Sequence, residues 1–356
     1  MVTHGAAPAM SAAHGSRTGA EGGEHPVDLR QLRALVTVAE VGSVTRAAEV
    51  LRVMQPTVTR QIRILEQQFG ATLFERTRQG MRPTEAGLIV VERARRALHQ
   101  LERARAEIQP VPDAPRGGVT VGLLDSTGDL VAEPLVAAIA RDHPGIRLHV
   151  VTAASQHLQR GLDDGGIDVT LLSDLRTTQT LHVHRLVREN LWAVAPASAE
   201  LNPAQSVPLA TAARQPLILP STGHALRTLV DEAAARADVR PAIAVETNSP
   251  HVQRQLVLAG HGWTVLPGVA VADDVARGVL SAAPLCDPDV RRTVVLATPR
   301  GTRSPQAVRL VARELIRHVN HAVEHGRWPS ATLYRPGVPM PETAPAVGAA
   351  SPSGPV

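Results

Sequence analysis

The chain of 356 residues contains no lysine, and all 37 of its basic side chains are arginine. Aromatic residues make up only 2%, so its cores must be built from Leu, Val, Ile and Ala, which a 44% hydrophobic content supplies. Cys286 is the single cysteine, which excludes an intramolecular disulfide and a Cys-rich zinc site; an inert thiol is expected there. No apolar run approaches the roughly 18 residues of a membrane span. Residues 1–26, rich in Gly, Ala, Ser and His, lack the apolar stretch of a signal peptide. A cytoplasmic protein with no membrane partner is therefore expected. No nucleophile-elbow motif is present, and the closest histidine pairs, His182/His184 and His318/His321, lack Cys or acidic partners at ligand spacing. Neither an enzyme, a metal site nor a cofactor is expected.

What is present begins with a charge asymmetry. Residues 27–108 carry 14 Arg against 9 acidic residues, a net of +5, whereas residues 109–356 carry 22 of each. A positive field confined to the N-terminal unit points to a nucleic-acid partner for that unit. The absence of lysine is equally well explained by a GC-rich genome and carries no functional weight.

The basic segment has helical periodicity. Leu29, Leu32, Val36 and Ala39 share one face of a first helix. Ser43 suits the N-cap of a short second helix through Leu51, with Ala47, Ala48 and Leu51 inward. After the turn Arg52-Val53-Met54, Pro56 suits the first turn of a third helix whose stripe is Val58, Ile62, Leu65 and Phe69, with Gly70 as its stop. Thr72–Phe74 and Met81–Pro83 form a candidate hairpin around Gly80. Thr84 caps a long helix in which Val90, Ala94, Ala97, Leu101, Ala104 and Ile108 step by four and three. That heptad seam suits dimerisation; packing on its own domain is the alternative. The Pro-rich stretch QPVPDAPRGG then reads as a linker.

From Gly118 the pattern alternates strand and helix, which implies parallel sheet with helices on its faces and suits two α/β lobes better than one. A short helix, a tight turn and a longer helix suit recognition in the major groove of duplex DNA. Gln55, Thr57, Thr59, Arg60 and Arg63 face away from the buried stripe of the third helix, and Pro56 offers an apolar surface to a thymine methyl. Thr45 on the bracing helix joins this set, and the hairpin's Arg76, Arg78 and Arg82 suit phosphate or minor-groove contact.

At these residues the sequence resembles the LysR-type transcriptional regulators. The likeness is densest in GSVTRAAEVL, QPTVTRQIRILE, TLFERT and PTEAG within residues 29–87, and spans about residues 27–323. It implies an α+β winged helix-turn-helix, a coiled-coil linker helix, and a two-lobed α/β effector domain like periplasmic binding proteins. On that reading, residues 1–26 are a disordered tail, 27–84 the DNA-binding domain, 85–108 the linker helix, and 109–117 a hinge. Residues 118–323 are the effector domain (lobe I about 118–188 and 277–323, lobe II about 189–276), and 324–356 a disordered tail. The resemblance also implies a homodimer or homotetramer on paired half-sites in the nucleoid, with RNA polymerase as a further candidate partner. Met54 stands where the family usually has Ser, Thr or Ala, and Gln79 where a wing Arg is customary. The runs LILPSTGHALRTLVDEA and VLAGHGWTVLPGVAV resemble a branch that includes nitrogen-assimilation regulators.

In a two-lobed α/β fold a ligand sits between the lobes, beyond the carboxyl ends of strands. Ser126 and Thr127 follow VTVGLL just before a helix, and family comparison implies effector contacts at Ser126 and Ser155. The second lobe offers Ser221, Thr222, Asn248 and Ser249. Hydroxyls at a helix N-terminus suggest a small anionic metabolite. The alternatives are capping roles for each hydroxyl, an enzyme or solute-binding protein built on the α/β region, and an architectural DNA binder without an effector.

Overall fold

Asp28 starts the first helix: its carboxylate accepts the Arg30 N–H, and the Gln31 side-chain oxygen accepts the Asp28 N–H in return. The structure is a computed structural model in which residues 27–78, 80–108, 115–173, 180–300 and 305–335 are described. The chain divides between Arg95 and Arg96 into two compact units.

The first unit comprises α1 (Leu29–Val41), α2 (Val44–Leu51), α3 (Gln55–Phe69), β1 (Phe74–Thr77), β2 (Gly80–Pro83) and the start of α4 (Glu85–Ile108). Its core is Ala34, Leu35, Val38, Ala47, Ala48, Val58, Ile62, Leu65, Leu73, Phe74, Val91 and Ala94. The α1 core face lies one step round from the expected one. Ala34, Leu35 and Val38 are buried, Leu32, Val36 and Ala39 flank them, and Leu29 is exposed, because α1 packs against both α2 and α3. Phe69 is also exposed, contrary to the expected stripe. Gly70 turns the chain in the left-handed conformation, and Leu73 enters the core instead, with the Leu73 and Phe74 N–H groups on Glu66 Oε1.

The hairpin begins at Phe74 rather than Thr72, because the preceding carbonyls belong to the start of α4. Leu73 O accepts the Thr84 N–H and Thr72 O accepts the Thr84 hydroxyl, while Thr84 Oγ1 accepts the Gly87 N–H as the expected cap. Two glycines are required by close approach. A Cβ at Gly87 would lie 1.9 Å from Leu73 O. At Gly80, where φ is +122°, it would lie 2.4 Å from Gly42 O, the acceptor of the Met81 N–H.

The second unit continues through β3 (Gly117–Leu124), α5 (Gly128–Asp142), β4 (Ile146–Ala153), α6 (Ser155–Asp163), β5 (Val169–Ser173), β6 (Leu181–Pro196), β7 (Val207–Pro208), α7 (Leu209–Ala213) and β8 (Leu217–Leu219). There follow α8 (Ala225–Arg236), β9 (Ile243–Glu246), α9 (Pro250–Leu258), β10 (Trp263–Pro267), α10 (Ala272–Ala276), β11 (Leu280–Cys286), β12 (Arg291–Pro299), α11 (Gln306–Glu324) and β13 (Ala331–Leu333). Strands run in the order β4-β3-β5-β12-β6-β10-β8-β9. The β4-β3-β5 and β10-β8-β9 pairings are parallel, as alternation requires, but β12 and β10 meet β6 antiparallel. β6 belongs to both lobes: Leu181–Asn190 pairs with β12, and Leu191–Val194 pairs with β10. The first lobe buries Leu123, Leu135, Leu171 and Leu315; the second buries Leu191, Leu219, Val230 and Leu285.

Two expected boundaries move. β11 pairs with β6 and β7 and buries Leu285 in the second lobe, so the return to the first lobe falls at β12 rather than at residue 277. Residues 325–335 are ordered, not tail: Trp328 is buried and β13 pairs with β6, since the β6 edge opposite β12 is open to another strand there. The expected tails at 1–26 and 336–356, and most of the 109–117 hinge, lie outside the described residues. No described helix is long and apolar enough to cross a membrane.

Candidate functional site

The core stripe of α3 dictates what its other face presents. With Val58, Ile62 and Leu65 buried, Gln55, Pro56, Thr57, Arg60 and Arg63 are exposed and Thr59 is half-buried. Gln55 Nε2 donates to Thr59 Oγ1 at 3.2 Å, and the Thr59 hydroxyl donates to Gln55 O, which fixes the glutamine while leaving its Oε1 outward. Thr45 on α2 is exposed, as are Arg76, Arg78 and Arg82 on the hairpin. Among the described residues none of Arg60, Arg63, Arg76, Arg78 and Arg82 has a carboxylate partner. Five guanidiniums without a carboxylate partner among the described residues, beside exposed Gln55 and Thr57, make an anion-seeking surface suited to duplex DNA. Met54, the N-cap of α3, is 75% exposed and supplies no side-chain cap. Gln79 lies outside the described residues.

The heptad stripe of α4 divides. Ala94 is buried in the first unit's own core and Val90 packs beside it, so these two are occupied. Ala97, Leu101, Ala104 and Ile108 are exposed, Leu101 at 43% and Ile108 at 77%. The neighbouring face of this half-helix meets the first lobe: Arg96 Nη1 lies 2.6 Å from Asp164 Oδ2, Gln100 Nε2 donates to Gly165 O, and His99 Nε2 lies 2.9 Å from buried Asp168.

Between the lobes lies a cleft holding about 670 Å3 of empty space, the open mouth included. Leu124, Asp125, Ser126 and Ser155 line it from the first lobe, Pro220, His224, Leu226, Asn248, Gln253 and Leu266 from the second, and Arg292 from β12. Gln156 Nε2 donates to Gly223 O across the mouth. At the base, Arg292 Nε donates to Glu189 Oε2 at 2.7 Å and its Nη2 donates to Ser126 Oγ at 2.9 Å. Glu189 is fully buried, and its Oε1 accepts Trp328 Nε1–H at 2.8 Å and the Ser330 hydroxyl at 2.6 Å. Burial pushes the Asp125 carboxyl up, a shift moderated by His224 and His157. Burial pushes His224 down, against the pull of Asp125, and its Nδ1 accepts the Leu226 N–H. The neutral ring therefore carries its proton on Nε2.

Of the residues expected to hold an effector, Ser126, Ser155 and Asn248 line the cleft. The Ser155 hydroxyl is engaged with the Ser173 backbone, and Asn248 Oδ1 accepts the Ser221 N–H. Thr127, Ser221, Thr222 and Ser249 do not line it. Thr127 is fully buried with its hydroxyl on Leu124 O, and Ser249 caps α9 by accepting the Val252 N–H. Asp125, His224, Gln253, Glu189 and Arg292 were absent from that set. The polar Gln253 four residues before Val257 on a helix face otherwise apolar was a usable signal; the pairing of Glu189 with Arg292, 103 positions apart, was not. Cys286 is buried, and desolvation pushes its thiol up, away from the reactive thiolate.

Residues 29–88 match the family described as bacterial regulatory helix-turn-helix protein, lysR family, and residues 112–320 match the LysR substrate binding domain. The chain is 30% identical over 305 residues to the HTH-type transcriptional regulator BbuR of Bordetella bronchiseptica, covering 86% of this chain and 94% of that protein. It is 30% identical over 288 residues to the nitrogen assimilation regulatory protein nac of Klebsiella aerogenes, covering 79% and 92%. Among solved structures, a full-length OxyR variant from Pseudomonas aeruginosa is similar at a TM-score of 0.56 and 27% identity, over 82% of this chain and 98% of that one. CbnR in complex with its target DNA shares the fold at a TM-score of 0.58 and 22% identity, over 83% and 99%.

Proposed function

The chain belongs to the LysR family of bacterial helix-turn-helix regulators, and from that premise we propose that α3 reads DNA through Gln55, Pro56, Thr57, Thr59, Arg60 and Arg63. It is a transcriptional regulator with an N-terminal DNA-binding domain and an effector domain, and it is not an enzyme. Thr45 and the hairpin arginines hold phosphates, and the effector occupies the cleft around Ser126, Ser155 and Asn248. The exposed face of α3 opposite Val58, Ile62 and Leu65 is the observation that carries the base-reading assignment.

Two copies join along Ala97, Leu101, Ala104 and Ile108, which are exposed among the described residues. The assembly is a homodimer or homotetramer on paired half-sites, with RNA polymerase as a further partner and the nucleoid as its place of action. Effector binding favours one lobe arrangement and so shifts how paired α3 helices meet the groove. The assignment is tested by selection from randomised DNA. Gln55→Ala relaxes preference at particular base positions, whereas Arg78→Ala weakens all sequences together and lowers the salt slope by about one. Wild-type selection profiles in both variants overturn it.

A further inference from the structure

The cleft's charge balance and one unsatisfied amide define what it accepts. Gln253 borders the cleft on α9, yet it is 1% exposed and its Nε2 has no hydrogen-bond partner. Leaving a buried amide unpaired is unfavourable, so a ligand group that pairs with it gains what the empty cleft lacks. The cations at the cleft are already spent. Arg292 is held by fully buried Glu189, and His224, with Nδ1 accepting the Leu226 N–H, is a neutral Nε2–H donor. Asp125 is the one lining carboxylate and has no ion pair among the described residues. His157, which acts on both Asp125 and His224, is exposed and outside the lining. Besides Arg292, whose charge Glu189 balances, the side-chain donors in the lining include Gln253 Nε2, His224 Nε2, Asn248 Nδ2 and the Ser126 hydroxyl whose oxygen already accepts from Arg292, and these are neutral. Most of the other walls are Leu, Ala and Pro.

A carboxylate entering here would be desolvated beside Asp125 with no uncompensated cation to receive it. The same shape as an uncharged carboxamide avoids the charge part of that penalty, and its smaller desolvation cost is offset by pairing with Gln253. We propose that the cleft selects a compact, uncharged ligand bearing a carboxamide or similar neutral carbonyl seated on Gln253, and rejects the isosteric carboxylate. This differs from the anionic ligand that the hydroxyls before α5 suggest from sequence, and it rests on the reading of this cleft as the effector site.

The test uses the full chain and three probes of one shape: cyclohexanecarboxamide, cyclohexanecarboxylate and cyclohexylmethylammonium, followed by ligand-observed NMR titration and thermal shift. The carboxamide carries both an acceptor and donors, so it answers either orientation of the glutamine amide. It is expected to bind at least roughly tenfold more tightly than the carboxylate. Gln253→Met, close in volume, is expected to fold with an unchanged or higher Tm and to lose that binding by roughly tenfold or more. Equal or tighter binding of the carboxylate, tighter binding of the ammonium, undiminished carboxamide binding by Gln253→Met, or no carboxamide binding at millimolar concentration each overturns the proposal. Ala154→Trp, which fills the cleft, separates the two levels: probes that still bind this variant refute the cleft as their site, whatever their order of affinity.

Discussion

Glu189→Gln probes the base of the cleft. The side chain is 0% exposed, with one oxygen on Arg292 Nε and the other accepting from Trp328 and Ser330. The amide preserves volume and one acceptor. If its oxygen stays with Trp328 and Ser330, its NH2 points at the guanidinium, donor against donor, and Arg292 becomes a buried cation without a counter-charge. Breaking a buried pair from one side costs about 3–5 kcal/mol. Losing charge assistance at the Trp328 and Ser330 bonds adds about 1 kcal/mol. At about 2–4 °C per kcal/mol for a unit of this size, Tm falls by roughly 10–20 °C. Calorimetry of the full chain reads this loss, and tryptophan fluorescence in a Trp192→Phe, Trp263→Phe background reports Trp328. Replacing both Glu189 and Arg292 with methionine recovers the part due to the uncompensated guanidinium, while Trp328 Nε1–H and the Ser330 hydroxyl lose their acceptor. A fall of less than about 3 °C would refute the reasoning, since the pair could not then be desolvated. A double variant no better than the single one would show that an uncompensated guanidinium is not the source.

Gly87→Ala raises helix propensity by about 1 kcal/mol but drives a Cβ to 1.9 Å from Leu73 O, so a net loss of about 2 kcal/mol or more is expected by thermal melt; a stabilised variant contradicts the close packing of α4 on Leu73. Leu101→Glu with Ile108→Glu leaves each helix intact, since both side chains are exposed, but places acid in the proposed seam. Sedimentation is expected to show a smaller species, and an unchanged oligomer removes the stripe from the interface. Burial holds His224 below its ordinary 6.5, so its contribution to stability is full above that value and is lost as pH falls through the lowered folded value. His224→Asn should flatten urea midpoints measured from about pH 8 to about pH 5, with His318, also lowered by burial, leaving a residual slope. Parallel curves for the two proteins would count against this.

The N-terminal unit was largely legible from residue order because its signals are local. Ser43, Pro56, Gly70 and Thr84 punctuate three helices and a hairpin by capping and backbone preference, and stripe periodicity separates Val58, Ile62 and Leu65 from the face of Gln55 and Arg60. Where that reading slipped, at Leu29 and Phe69, the deciding factor was which neighbour the helix end met, and Leu73 took the place that periodicity offers to Phe69.

The two α/β lobes were likewise visible as alternating strand and helix, but their joining was not. Nothing local says that β6 runs through both lobes, that β11 returns to the second, or that Trp328 packs beneath Glu189. The cleft shows the same division. Hydroxyls near strand ends were readable as candidates, yet Thr127 and Ser249 satisfy nearby backbone groups, and Asp125, Gln253, His224 and Arg292 meet only through tertiary contacts. By itself, then, the sequence determined the N-terminal elements and the Val58, Ile62 and Leu65 face of α3, because those depend on neighbours three or four positions away. The charge state of the cleft was decided only by the tertiary structure, because Arg292 is neutralised by Glu189, a partner 103 residues distant in the chain.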